Sequence, residues 1–270
     1  MGRNVKRGLA RHINALAASI ALAAALMAGG APTRAESAKD AAAEFIAGAT
    51  RQCVGCMLAE QRFKGRDLAG ADLANANLRA AVFHRAKLAR SNFGDAELAG
   101  ANFNKTDLKN ARLSNIKARG AMFYEADLGL ADLSGADLTE ARMGKARLVR
   151  AKLDGARITD AVINEARLDD ASARGANFNN TNLNDASLRR GDFTGANFTD
   201  CGLVAAQMRE GKFAGAKFID ADLYDADLAG ADLTGADFSG SRLTRVNLEG
   251  AKLDGAIFKG ALMPDGTEHP

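Results

Sequence analysis

The sequence contains no tryptophan, two tyrosines, three histidines and three cysteines among its 270 residues. Proteins that hold single-stranded nucleic acid interleave aromatic faces with basic groups. A chain without tryptophan, whose phenylalanines are expected to point inward, does not offer that surface. A zinc site needs a second ligand pair, and past the first 35 residues the only histidines are His84 and His269. No serine–acid partner is implied for His84. The glycines are dispersed along the chain rather than gathered before a helix, as a phosphate-binding loop requires. The chain is therefore expected not to be an enzyme and to use no cofactor or metal.

Residues 1–35 read as an export signal. Arg3, Lys6, Arg7 and Arg11 form a basic start, Ile13 to Gly30 is an uncharged alanine-rich run, and Thr33-Arg34-Ala35 resembles a processing site. Cleavage after Ala35 leaves Glu36 as the new terminus, and an uncleaved anchor is the competing reading, since the run is near the lower limit of a spanning length. With no twin-arginine pair and no lipobox before Cys53, the general secretory route is expected. The protein would then be periplasmic or secreted, with no stable membrane insertion after cleavage. The segment holds five of the 36 Lys+Arg and none of the 33 Asp+Glu. The mature chain thus carries two more acids than bases, and the basic pI gives no support to nucleic-acid binding.

What the sequence has in abundance is a period of five. From Leu58 to Met263 every fifth residue is apolar, without insertion or deletion, and Leu or Phe fills 35 of these 42 positions. The residue two before is nearly always small. A helix advancing 100° per residue would scatter such leucines over every face, and a continuous strand would send alternate ones to opposite sides. A short extended piece followed by a turn satisfies the pattern. If i is the large apolar residue, then i−2 and i point inward, i−1 points outward, and i+1 with i+2 make the corner. Glycines at i+2, such as Gly70 and Gly135, suit a turn with positive φ. Four sides close a coil of about 20 residues, and coils stacked ~4.8 Å apart give about ten coils and a rod on the order of 50 Å.

The A(D/N)LXX units, as in Ala131-Asp132-Leu133-Ser134-Gly135, resemble those of pentapeptide-repeat proteins over about residues 56–263. The resemblance implies an all-β, right-handed quadrilateral β-helix and carries over no catalytic residues. Some members of that family mimic DNA and bind type II topoisomerases; that role is the alternative here if the chain is not exported. The expected organisation is a signal peptide over 1–35, a capping helix and CxxC entry over 36–55, the solenoid over 56–263 and a tail over 264–270.

Stacking at twenty residues predicts aromatic columns, Phe63 to Phe123 and Phe178 to Phe258, and weak points at Ala118 and Ala173, where a large residue is expected. It also predicts charge bands. Arg142, Arg147, Lys152 and Arg157 form a basic belt, and Asp222, Asp225, Asp227, Asp232 and Asp237 an acidic run; these are the candidate interaction surfaces, for an unidentified protein or envelope component. Across adjacent coils Asp127 should pair with Arg147, Asp132 with Lys152, Asp137 with Arg157, Asp222 with Arg242 and Asp232 with Lys252.

At the start, Ser37 to Thr50 reads as a short helix capped by Asp40 or Ser37, covering the first coil with Ala41, Phe45, Ile46 and Ala49. Cys53-Val54-Gly55-Cys56 follows, and in an oxidising compartment the two thiols can form a short-loop disulfide; packed thiols and a redox role are the competing readings. Met57 after the second cysteine excludes haem attachment. Cys201, about seven coils away, cannot pair with them. At the other end Pro264 breaks the pattern, and Phe258 and Met263 are left to form an end-to-end homodimer.

Overall fold

A computed structural model describes residues 34–270, with side chains from Lys39 onward. The export-signal reading of residues 1–33 lies outside the described residues. Among those described, no helix is long and apolar enough to cross a membrane.

The body of the chain is a β-helix. Parallel bridges join residues twenty apart, from Gln52↔Asp72 to Arg242↔Leu262, at every fifth residue. Each twenty-residue coil therefore contributes four bridge positions, each on the outward residue i−1. Four columns follow, named here by their first buried centres: side I (Leu58), side II (Phe63), side III (Leu68) and side IV (Leu73). The ladder is continuous: Leu58 N–H donates to the Asn77 carbonyl at 2.8 Å, and Asn77 N–H to the Cys56 carbonyl at 2.9 Å. Centres and small i−2 residues are buried from Cys53 to Leu243, forming one continuous core.

Each corner is a β-turn, closed by bonds such as Ala71 N–H to the Leu68 carbonyl at 3.0 Å. Its third residue has positive φ throughout. Glycine suits that geometry, yet twenty-six non-glycine residues adopt it, with φ between 54° and 64°. The aspartate or asparagine at i−1 helps to hold the turn: its Oδ1 accepts the N–H of i+1, as in Ser134 to Asp132 at 3.1 Å and Gly94 to Asn92 at 3.1 Å. This is an Asx turn, and it explains the acid or amide of the repeat better than solvent exposure alone.

The predicted aromatic columns are present. Stacked ring centroids lie 4.8–5.1 Å apart from Phe63 to Phe123 and 4.8–5.3 Å apart from Phe178 to Phe258. A further pair, Phe193 and Phe213, stacks at 5.3 Å on side IV. Ala118 and Ala173 do not interrupt the ladder; their N–H groups donate to Asp137 and Asp192 at 2.8 and 2.7 Å.

Helix α1 runs Arg34–Ala47, three residues earlier at both ends than the sequence predicts. The expected cleavage point after Ala35 lies in its first turn. Asp40 and Ser37 are inside the helix rather than caps. Its C-terminus is set by Gly48 at φ 80°: Gly48 N–H reaches the Phe45 carbonyl and Ala49 N–H the Glu44 carbonyl, a Schellman arrangement. The covering face is Ala42 and Phe45, with Ala41 partly buried, whereas Ile46 and Ala49 are exposed. Phe45 meets Phe63 edge-on at 5.5 Å. Arg66 closes the junction by donating to the carbonyls of Ile46 and Phe45 at 2.8 and 3.3 Å.

At the other end the tail turns back. Leu262 bridges Glu268 antiparallel, Met263 N–H donates to Thr267, and Gly260 N–H to His269. The turn is tied by Asp265, whose Oδ1 accepts from the Thr267 N–H at 2.9 Å. The His269 ring lies 6.0 Å from that of Phe258.

Candidate interaction surfaces and the cysteines

Cys53 is a buried centre and Cys56 a buried small-slot residue. They are joined by a disulfide across the first corner, with Cα atoms 5.3 Å apart. The corner itself is the same turn found elsewhere, Cys56 N–H donating to the Cys53 carbonyl at 3.3 Å. Helix α1 lies over it, with Ala41 O 3.7 Å from Cys53 Sγ. Thiol exchange requires an accessible sulfur, and both residues are at most 1% exposed. The geometry is that of a staple.

Cys201 is a buried free thiol that donates to the Phe178 carbonyl at 2.9 Å. Thr106 and Thr181 use the equivalent slot in the same way, toward Phe83 and Ile158. Burial pushes the Cys201 thiol up to about 12, far from a reactive thiolate. His84 sits half-buried at a corner; desolvation, and then Arg85, Lys64 and Lys105, hold its pKa below the usual value. Among the described residues no group of histidine, cysteine and acidic side chains is placed to hold a metal ion.

The structure places the predicted charge partners in bridge register, but it brings only some of them together. Arg147 Nε is 3.9 Å from Asp127, and Arg242 is 3.3 Å from Asp222. Asp132, Asp137 and Asp232 accept from their own corners, at Ser134, Thr139 and Thr234, as Asp127 and Asp222 also do from Gly129 and Tyr224, but form no ion pair with the predicted partner. An exposed pair of this kind gains only about 0–1 kcal/mol, too little to order every lysine or arginine tip across a coil. Other ion pairs join corners that sequence reading passed over, such as Lys105–Glu125 at 3.2 Å and Arg190–Asp170 at 2.8 Å.

The belts also change meaning. Arg142, Arg147, Lys152 and Arg157 occupy sides II, III, IV and I in turn, so each faces a different direction. Asp222, Asp227, Asp232 and Asp237 do the same, and Asp225, at a corner, pairs with Arg245 at 3.2 Å. Tyr224 lies under the guanidinium of Arg242, 4.5 Å from its ring centroid. Patches that a partner can meet run along the rod, at twenty-residue spacing. One such feature is a notch of about 330 Å³ on side III, lined by Lys109, Asp127, Leu130, Arg147, Arg150 and Asp170 among others, in which Asp127 pairs with Lys109 at 3.2 Å.

Comparison with known proteins follows the geometry. HetL, a pentapeptide repeat protein involved in heterocyst differentiation regulation from the cyanobacterium Nostoc sp. strain PCC 7120, is 28% identical, with 84% of this chain and 96% of that one covered and a TM-score of 0.42. QnrB1, a plasmid-mediated fluoroquinolone resistance protein, is 20% identical over 53% of this chain and 84% of its own, with a TM-score of 0.29. A pentapeptide repeat protein from the Arabidopsis thaliana thylakoid lumen is 24% identical over 65% of this chain and 77% of its own, with a TM-score of 0.17. No curated protein sequence matches. The model of pentapeptide repeats matches in eight copies, in segments that together run from residue 62 to residue 260. The chain belongs to the pentapeptide repeat family.

Proposed function

We propose that this protein is a non-catalytic protein-interaction scaffold, exported from the cytoplasm, built as a right-handed quadrilateral β-helix of about ten four-sided coils. The observation that carries this reading is the use to which the polar groups are put. Asp and Asn side chains hold corners, buried hydroxyls and the Cys201 thiol donate to coil carbonyls, and the CxxC is sealed beneath α1. What is left for function is a long, ordered exterior. The DNA-mimic role is less well supported, because the mature chain is near neutral and its acidic run is spread over four sides.

The open end supports self-association. Leu248, Gly250, Leu253, Gly255 and Phe258 have N–H groups with no backbone acceptor among the described residues, and Phe258 and Met263 are half-buried. An end-to-end homodimer would cover this edge.

Two measurements test these readings. Fractionation with N-terminal sequencing is expected to give a periplasmic or secreted chain starting at Glu36; an intact Met1 on a cytosolic protein would revive the DNA-mimic role. Sedimentation at micromolar concentration is expected to give a dimer that Phe258→Glu disperses, and a monomer for the unaltered protein would remove the end-to-end contact.

A further inference from the structure

Side II is the uncharged face of the rod. Over the seven coils from Val82 to Val204, its i−1 and i+1 positions hold a single Lys, Arg, Asp or Glu, which is Arg142. The corresponding seven coils of sides I, III and IV, starting at Asn77, Lys87 and Asn92, hold six, nine and seven. The corner position i+2 of side II adds three bases and three acids from Arg85 to Asp185, so the net charge of the side is that of Arg142. Depletion of charge, with tyrosine, methionine and arginine present, marks an interface core rather than a solvated wall.

The apolar residues on this side keep a period of two coils. Bridges set Val82 against Asn102, Asn102 against Met122, Met122 against Arg142 and Arg142 against Val162. Val82, Met122 and Val162 therefore stand ~9.6 Å apart in one line. Val162 is 42% and Tyr124 38% exposed. Tyr124 lies beside Gly144 of the next coil, where a Cβ would be 3.6 Å from its ring, so no side chain at that position covers it.

The polar groups between them are one-sided. The Oδ1 atoms of Asn102, Asn104, Asn182 and Asn184 accept the N–H groups of Asn104, Tyr124, Asn184 and Val204 at 2.8–3.0 Å. Their Nδ2 groups meet no acceptor among the described residues and are left as donors. Arg142 forms no ion pair among the described residues. The carboxylates around it are already engaged: Glu125 by Lys105, Glu140 by Arg119, Glu165 by Lys145 and Asp160 by Asn180.

These features select an occupant. A face ~29 Å long and ~10 Å wide offers about 300 Å², well short of the roughly 800 Å² per partner of a stable interface. A second rod is not held by so little, whereas one extended segment fits the strip. A strand returns to the same face every ~6.7 Å and a helix every ~5.4 Å, and neither keeps step with the apolar line. A polyproline II segment does, returning every ~9.3 Å. Proline has no N–H, so such a backbone only accepts, which is what free amide donors require.

We propose that side II is a docking face for a proline-rich segment of a partner protein in the polyproline II conformation. Every third side chain of the segment packs on Val82, Met122 and Val162, and a proline ring rests on Tyr124. Its carbonyls accept from the asparagine amides, and one carboxylate meets Arg142. The face rests on the scaffold reading and gives that scaffold a class of partner.

The test uses the chain as the cell processes it and a labelled peptide of repeated Pro-Pro-Leu triplets with one proline replaced by glutamate, followed by fluorescence anisotropy. Binding is expected, about tenfold weaker with Tyr124→Ser or Val162→Asn. Serine and asparagine occupy those repeat positions elsewhere, as at Ser134 and Asn182. Both variants should therefore melt as the parent does, which separates lost docking from lost fold. A preference for glutamate over glutamine in the peptide is expected to vanish with Arg142→Gln, and one that survives overturns the carboxylate contact. The site is overturned if the peptide does not bind, if leucines at every second residue bind equally well, or if either variant binds as the parent does. A partner recovered from a periplasmic extract in equal yield on the parent and on Tyr124→Ser with Val162→Asn would leave the scaffold reading standing and remove side II from it.

Discussion

The ring of Phe193 occupies the space that a side chain at Gly191 would need. A Cβ at position 191 would lie 2.4 Å from Phe193 Cε2 and 3.2 Å from the Ala171 carbonyl, and Gly211 stands in the same relation to Phe213, at 2.5 Å. These glycines sit in small i−2 slots with ordinary φ, so their role is room rather than turning.

Gly191→Ala and Gly211→Ala are therefore expected to destabilise the rod, by about 1–3 kcal/mol each as overpacking. Alanine is otherwise the commonest residue of that slot, so a propensity argument predicts the opposite sign. Equilibrium denaturation of the two variants decides between them.

Ala118 and Ala173 should respond in opposite ways to enlargement. Ile116 fills the small slot before Ala118 and is fully buried, which restores the volume that the alanine gives up. Ala173 is preceded by Ala171, with no such exchange. Ala118→Leu is expected to cost about 1–3 kcal/mol, while Ala173→Leu should be neutral or stabilising. Equal destabilisation by both, measured as shifts in the denaturation midpoint at constant slope, would show that the wall has already collapsed around Ala173.

The staple at the entry should contribute about 2 kcal/mol, the chain-entropy value for so short a loop. Reduction, or the double variant Cys53→Ser with Cys56→Ser, is expected to lower stability and to loosen α1 first. Amide exchange at Ala49 and Leu58 reads this locally, while the coils beyond Leu73 keep their protection, since neighbouring coils are the main contacts in a solenoid.

Cys201 supplies a pH dependence with a definite sign. Its thiol is neutral in the fold and its pKa is raised to about 12 from an ordinary 9.0. The unfolded chain loses this proton first. The contribution to stability is thus fully present below pH 9 and declines as the pH rises from there toward 12. Cys201→Ala should flatten that decline. Alkylation of Cys201 at pH 8.5 is expected only after denaturant is added.

The period of five carried most of the fold. An apolar residue at every fifth position leaves one arrangement in which i and i−2 face inward, and the bridges at twenty residues follow from it. The aromatic columns were legible for the same reason, because stacking is fixed once the period is. Three things were not. The backbone at corners such as Glu60 and Arg85 adopts positive φ although their side chains give no sign of it; the ladder on either side imposes it. The asparagine or aspartate before each centre reads as a solvent-facing residue until the N–H of i+1 is seen to reach it. The belts misled because neighbours in sequence face different directions here, so Arg147 belongs with Lys109 and not with Arg142. Leu130 carried a signal that could have been read, as a leucine outside the one phase of the repeat that needs one.

A five-residue unit carries no instruction to stop. Coil added to coil presents the same bonding edge each time, and the two edges of this rod are complementary. Leu248, Gly250, Leu253 and Gly255 offer N–H groups at one end, while the carbonyls of Gln52, Val54, Met57 and Ala59 accept no backbone N–H among the described residues at the other. Molecule could follow molecule in register, as coil follows coil. Helix α1 and the folded tail occupy part of those two edges, so the length of this protein is set by its ends: they are what keeps a discrete particle from becoming a fibre.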